Sequence, residues 1–268
     1  MSDSDLVNDQ FVDYDFTKDP NFVGGDLGRK AIDPNLCSTY EEAVPVLSRS
    51  RILEECEKIA AAGGGTERLV VEVKHQGREG SCVGNATTQA DQLAQAVQFG
   101  KENVTILSAS SLYKRIGRSP SSGAYVPDAL EELVARGALP VDNEKNRAKY
   151  GDAVMPATGF YEKFPANWEA TAKKFAATEF HIVKSVDGLL TALCNQHPVV
   201  VGREGHSICY LRPMVKNGRL VVAYVNSWGK WGSGMGDFEY GFGFDTESQI
   251  RKSAGWAFAL RTVVRPGN

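Results

Sequence analysis

The feature that most constrains the fold of this chain is the distance between a cysteine that opens a helical run and a histidine that heads a β-rich segment. Cys82 closes the run Gln76-Gly77-Arg78-Glu79-Gly80-Ser81-Cys82. After it, Ala86, Ala90, Leu93, Ala94 and Val97 recur at helical spacing until Gly100. His206 stands between Gly205 and an apolar strand-like stretch, and Asn226-Ser227-Trp228-Gly229 follows the next such stretch. A thiol attacks only as its thiolate, so it needs a cationic or dipolar neighbour. A helix opening at Cys82 supplies the dipole, and His206 supplies the proton acceptor. The two can meet only if a helical half packs against a β-rich half. The expected class is therefore α+β, with the site at the seam.

Around this nucleus the chain divides into an N-terminal arm with one helix, residues 1–65, and a main domain, 66–268. The domain has a helical half at about 76–165 and a β-rich half at about 166–268. The arm is acidic and carries isolated aromatics, Phe11, Tyr14, Phe16 and Phe22. It is expected to dock on the body or on a partner protein. Its helix runs from about residue 48 to 62, and Gly63-Gly64-Gly65 ends it as a joint. These glycines are no phosphate loop, since no Lys-Ser/Thr follows. A short strand is expected at 69–73, leading to Gln76. Helices are expected at about 109–117, 127–136, 167–176 and 186–194, with Ser108 and Gly137 as end signals. Strands are expected at 199–201, 206–211, 220–226 and 257–264, and a strand-like segment begins at His181. Lys216-Asn217-Gly218-Arg219 reads as a hairpin turn. Gly241-Phe242-Gly243 is read without a following helix, and so not as a nucleotide loop.

Charge and composition exclude several classes. The net charge of −3 comes with scattered lysines and arginines, so neither nucleic acid nor an anionic membrane is an expected partner. No apolar run approaches the ~20 residues that span a bilayer. The start, Met1-Ser2-Asp3-Ser4-Asp5, lacks the apolar core of a signal peptide. A cytoplasmic location follows as the expectation. The five cysteines match no metal spacing, and free thiols in a reducing compartment are expected. The arm's acidic residues are too irregular for a calcium loop. Neither metal nor cofactor is expected. His75, His181 and His197 read as surface or structural residues.

The Gln six positions before the Cys and the Asn-Ser-Trp-Gly run carry a resemblance. From about Val71 to Val264 the chain resembles the papain-like cysteine peptidases, in particular compact bacterial and phage-type members. The resemblance implies the papain-like two-lobed fold, with the nucleophile helix in one lobe and His and Asn in the other. It implies an oxyanion hole from Gln76 and the Cys82 backbone N–H, His206 as base, Asn226 as its orienter, and Trp228 shielding that hydrogen bond. It also implies a ledge, Gly123-Ala124-Tyr125-Val126, that pairs with substrate backbone and walls the specificity pocket. Tyr125 reads equally well as core. Ser207 and Trp228 complete the implied substrate-binding set. Cleavage of a polypeptide through a Cys82 thioester is the activity implied, and association with a phage or virion is the alternative location.

Two departures stand out. The first Cys of the family signature, which closes a disulfide in secreted relatives, is Glu79 here, and the aromatic after the nucleophile is Val83. The Cys-to-His separation is 206 − 82 = 124, somewhat under the usual ~130–150, and the Cys-to-Asn separation is 226 − 82 = 144. Loop deletion accounts for the first. Two other readings stand beside the peptidase: an inactive binding or structural protein on the same scaffold, and an amidase or peptidoglycan-peptide hydrolase using the same site. The arm lacks a long pro-domain-like stretch. That favours an integral or docking extension over an inhibitory one.

Overall fold

Alternate residues of the β-rich half go to opposite faces of one sheet, and both faces are apolar. The computed structural model describes residues 9–20, 22–32, 37–203 and 205–264. The acidic first five residues, and the signal-peptide question with them, lie outside that range. Among the described residues the helices are α1 (Tyr40–Ala43), α2 (Arg49–Ala61), α3 (Cys82–Phe99), α4 (Ala109–Ile116), α5 (Val126–Arg136), α6 (Glu144–Tyr150), α7 (Trp168–Ala172), α8 (Val186–Cys194) and α9 (Glu247–Ser253). The strands are β1 (Ala177–Val183), β2 (Val199–Arg203), β3 (His206–Lys216), β4 (Arg219–Val225), β5 (Ser233–Met235), β6 (Phe238–Thr246) and β7 (Ala257–Val263). They form one antiparallel sheet in the order β1-β7-β2-β3-β4-β6-β5.

One face presents Val200, Cys209, Leu211, Ala223, Val225 and Phe258 to α3, α4 and α5. The other presents Val199, Val201, Ile208, Tyr210, Val222 and Ala259 to α2 and α8, with Ile52, Cys56, Leu189 and Leu193 opposite. Coverage on both faces explains why these strands read as unbroken apolar runs. Each fully buried aliphatic side chain contributes about 1.5–3 kcal/mol.

Local signals set the helix ends. Ser108 accepts from the Ser111 N–H at 3.1 Å, and Ser185 from the Gly188 N–H at 2.9 Å. Gly137 closes α5 at φ +76, where a side chain is strained. α3 is buried on every side from Cys82 to Ala96, because it runs between the sheet and α4 and α5. Its polar residues therefore need internal partners. Gln92 takes Lys74 Nζ at 2.8 Å, and that ammonium also reaches Glu72 at 2.7 Å and the Leu107 carbonyl at 3.0 Å.

Several expectations need correction. Residues 69–73 form no strand; a 3-10 turn spans Thr66–Leu69, and the chain then runs extended without a ladder partner. β1 starts at Ala177 rather than at His181. β5, β6, α6 and α9 were not foreseen. The glycines of β6 diluted its pattern; Gly243 pairs with Tyr224, where a Cβ would collide with that ring. A helix, α9, does follow Gly241-Phe242-Gly243, but these residues lie inside β6 and form no loop.

The arm is built into the body. It carries α1 as well as α2, and α1 is closed by a Thr39–Glu42 capping box. Tyr40, Ile52 and Cys56 are buried in the second core, as is Phe16. The residue that replaces the family's cysteine also acts structurally: Glu79 Oε1 accepts from the Gly159 and Phe160 N–H groups, both at 2.8 Å, and ties the nucleophile loop to the 159–160 loop.

Two outcomes follow. A chain beginning at Thr66 exposes the α2-facing side of the sheet and is expected to lose cooperative thermal unfolding; a melt as sharp as that of the full chain would contradict this. Glu79→Ala is expected to lower stability by about 1.5–3 kcal/mol, the range for hydrogen bonds to a charged group, as read by denaturant unfolding.

Candidate active site

The seam between α3 and β3 brings the sequence-selected residues together. Cys82 is the first residue of α3, where the helix dipole favours a negative sulfur. The backbone N–H groups of Ser207 and Val83 face that sulfur. His206 opens β3 immediately before Ser207, and Asn226 follows the end of β4, the strand paired with β3.

Asn226 sets the imidazole. Its Oδ1 accepts the Ser227 N–H at 2.7 Å and lies 2.7 Å from His206 Nε2. A backbone N–H can only donate, so the atom it meets is the amide oxygen, and His206 Nε2 must then carry the proton. This leaves Nδ1 as the ring's basic nitrogen, buried and without a hydrogen-bond partner. Trp228 covers the pair, its ring 4.7 Å from that of His206.

Gln76 is fully buried and held by a residue that sequence reasoning did not single out. Ser227 Oγ donates to Gln76 Oε1 at 2.7 Å, and the Gln76 N–H donates to the Ser227 carbonyl at 2.8 Å. The amide Nε2 is thereby turned toward the Glu79 carbonyl at 2.7 Å and the Val23 carbonyl at 3.4 Å. Ser227 lies within the motif that located Asn226, so the signal was present but unused.

Val23 belongs to the arm, and the arm lies in the cleft. Gly25 N–H and Asp26 N–H donate to the Gly205 carbonyl at 2.9 and 3.1 Å. On the other wall, Ala124 N–H donates to the Gly25 carbonyl at 2.8 Å, and Leu27 N–H donates to the Ala124 carbonyl at 3.0 Å. The arm thus runs parallel to Ala124 across the ledge. Gly25 passes directly over the thiol: a Cβ there would collide with the Gly80 carbonyl and stand 2.9 Å from Cys82 Sγ. Phe16 seals the far side, its ring 4.7 Å from His206 and 5.4 Å from Trp228. Phe11 and Tyr14 pack on Trp231 at 5.0 and 5.1 Å. Beside Gln76 an open cavity of about 720 Å³ has Phe22 and Val23 of the arm on one wall and His75, Arg78, Trp228 and Lys230 among the others.

The other expected substrate residues separate into two groups. Ala124, after Gly123, bonds to the arm, and Ser207 lies against Cys82, its hydroxyl donating to the Val201 carbonyl at 3.1 Å. Val126 is instead the first residue of α5 and lies in the core. Tyr125 precedes it, with Lys30 Nζ 5.7 Å from its ring centroid.

Burial governs the charge of the covered seam. It pushes the Cys82 thiol well above its usual range and lowers His206 to about 4. Burial therefore disfavours the charged form of both thiol and imidazole in this covered state. Removing two charges from water costs more than their attraction returns unless further hydrogen bonds hold them. Asp26 is buried too, and its carboxyl is pushed up to about 7. Among the described residues, no group of three or more His, Cys, Asp or Glu stands together to hold a metal ion, and all five cysteines are free.

No protein-family model matches the chain, and no curated protein does. Solved structures do resemble it. Xylellain, a cysteine protease from Xylella fastidiosa, aligns over 90% of this chain and 97% of its own length, with 20% identity and a TM-score of 0.56. Digestive procathepsin L 3 of the Tenebrio molitor larval midgut aligns over 70% of this chain and 66% of its own, with 21% identity and a TM-score of 0.52. The ragweed cysteine protease Amb a 11, in its proform, covers 72% of this chain and 62% of its own, at 17% identity and a TM-score of 0.52. The chain thus spans about two thirds of the length of the precursor structures it resembles. At these identities the likeness concerns architecture: the polypeptide takes the papain-like cysteine-protease fold.

Proposed function

We propose that the chain is a cysteine peptidase whose cleft is closed by its own N-terminal arm. The observation that carries the reading is the 2.7 Å contact from His206 Nε2 to Asn226 Oδ1. It leaves Nδ1 as a free base on the residue before Ser207, whose backbone N–H faces the sulfur of Cys82 at a helix N-terminus, with the Gln76 amide presented to the same cleft. The fold shared with three cysteine proteases supports it.

In the open cleft, water and the helix dipole allow the Cys82 proton to pass to His206 Nδ1. The thiolate then attacks the scissile carbonyl carbon. The resulting oxyanion is held by the Cys82 backbone N–H and the Gln76 amide. His206 gives its proton to the departing amine, and a thioester remains on Cys82. His206 next takes a proton from water, whose hydroxyl displaces the sulfur; the peptide acid leaves and the thiol is restored. Asn226 keeps the ring aligned throughout. The arm blocks this sequence in two ways: it fills the substrate's place on the ledge, and it dries the seam so that the charged pair does not form.

Gly25 gives a direct test. Gly25→Ala has no room over Cys82 Sγ and is expected to drive the arm from the cleft while α1 and α2 stay docked. Labelling of Cys82 by a thiol-reactive peptidase probe, read by mass spectrometry, should rise by about tenfold or more, with peptide cleavage rising alongside. Cys82→Ala in that background should abolish both, and Gln76→Ala should lower kcat by about 10²–10³. Full cleavage by the Cys82→Ala protein would refute the nucleophile; equal labelling of the wild type and Gly25→Ala would refute closure by the arm.

The proton balance makes a further prediction. Docked Asp26 holds its proton up to about pH 7, whereas the released residue loses it near the ordinary ~3.8. The docked state therefore binds more protons, and Asp26's contribution to docking falls as pH rises between these values. His206, lowered to about 4, works in the opposite direction over part of the same window. Comparing the wild type with Asp26→Asn cancels that second effect. The asparagine variant is expected to hold its arm more tightly than the wild type by a factor that grows with pH, reaching about tenfold or more at pH 7 by Cys82 labelling rate.

A further inference from the structure

Gln89 lies seven residues after Cys82 (89 − 82 = 7), two turns along the same face of α3. It is only 3% exposed, and both of its amide atoms, Nε2 and Oε1, are buried without a hydrogen-bond partner. The other glutamines of the helix are engaged. Gln92 accepts from Lys74 at 2.8 Å, Gln95 donates to Asp91 at 2.9 Å, and Gln98 donates to the Arg261 carbonyl at 3.4 Å. Across the seam Asn226 is 2% exposed. Its Oδ1 is taken by His206 and Ser227, and its Nδ2 is left buried and unpaired.

Both residues border one small cavity of about 10 Å³, together with Lys74, Asn85, Ser207 and Ser227. A buried water needs about 10–15 Å³ of such space and two to four polar partners. The other polar side chains of the lining are spent elsewhere. Lys74 gives its ammonium protons to Glu72, Gln92 and the Leu107 carbonyl, and Asn85 Nδ2 donates to the Ser81 carbonyl at 2.9 Å. The Ser207 hydroxyl donates to the Val201 carbonyl and that of Ser227 to Gln76. The unpaired side-chain atoms around the cavity therefore belong to Gln89 and Asn226. Burying polar atoms without partners costs free energy, and a shared water removes that cost.

We infer that Gln89 is a positioning residue for Asn226, and through it for His206: one water in this cavity accepts the Asn226 Nδ2–H and donates to Gln89 Oε1. This rests on the peptidase reading and adds to it a residue that the Cys-His-Asn motif does not contain. Asn226 is then held at both ends of its amide, Oδ1 by the Ser227 N–H and Nδ2 by the water. With the second hold removed, the amide plane swings about its last side-chain bond, and the imidazole loses its fixed direction. Gln89 touches neither substrate nor the reacting atoms, so kcat responds to its loss and KM does not.

A crystal structure of the full chain tests the bridge without turnover. One water is expected within about 2.7–3.2 Å of both Asn226 Nδ2 and Gln89 Oε1. A direct bond between the two amides, or a cavity that holds no water, would overturn the inference. Cleavage is read in Gly25→Ala protein, in which the arm is expected to leave the cleft. Adding Gln89→Met keeps the length of the side chain and removes its polar end. It should lower kcat by about tenfold while KM and the sharpness of the thermal melt stay unchanged. If that variant fails to fold, Gln89→Leu is read in the same way. An unchanged kcat, or a rise in KM in its place, would also overturn the inference. Should Gly25→Ala protein cleave nothing and leave Cys82 unlabelled, the peptidase reading fails, and the crystal structure still decides whether Gln89 and Asn226 share a water.

Discussion

Asn226 Oδ1 accepts two donors at once, the Ser227 N–H and His206 Nε2, both at 2.7 Å. Because one donor is backbone, the other is forced into a single tautomer, and the ring's basic nitrogen is aimed away from Asn226. The flanking residue Ser227 also holds Gln76, its hydroxyl donating to the side-chain oxygen and its carbonyl accepting the backbone N–H. One short stretch after β4 thus fixes both His206 and Gln76, although those two residues come from opposite halves of the molecule. The antiparallel pairing of β3 with β4 delivers that stretch to the seam, and the two apolar faces of the sheet hold the strands in register.

The electrostatics of the seam depend on the arm as much as on these contacts. A cysteine at a helix N-terminus and a histidine in the same seam are arranged for charge separation, yet with Gly25 and Phe16 over them burial disfavours the charged form of both. Desolvation overrides the dipole because burial acts on both partners together. Beneath the arm, burial rather than the helix dipole sets the protonation of these residues. The arm's dual character follows from its sequence. Tyr40, Ile52 and Cys56 of α1 and α2 join the core, whereas the Gly24-Gly25-Asp26 stretch lies in the cleft.

How much of this was legible in the sequence depended on how local the cause was. The nucleophile helix, α4, α5 and α8 announced themselves through caps and spacing, and Val186–Cys194 was located to the residue. The start of a helix at Cys82, the pairing of His206 with Asn226 and the position of Gln76 against Ser227 lie where the motifs stand, because motifs record neighbouring side chains. β6 was not legible, since its glycines serve the Tyr224 ring on a neighbouring strand. Val126 was misplaced because the ledge passes into α5 one residue earlier than the loop pattern implied. The aromatics of the arm were conspicuous, but their partners Trp228 and Trp231 lie more than two hundred residues away.

Glu79 carries a consequence beyond its position. In secreted relatives of this fold a cysteine occupies the corresponding place and closes a covalent bridge; here a carboxylate grips two amides of the 159–160 loop instead. A tie of this kind forms as soon as the chain folds, and it can neither be shuffled by thiol–disulfide exchange nor opened by a reductant. The loop before Cys82 is therefore held to its neighbour by hydrogen bonds, and no second thiol takes part in that tie.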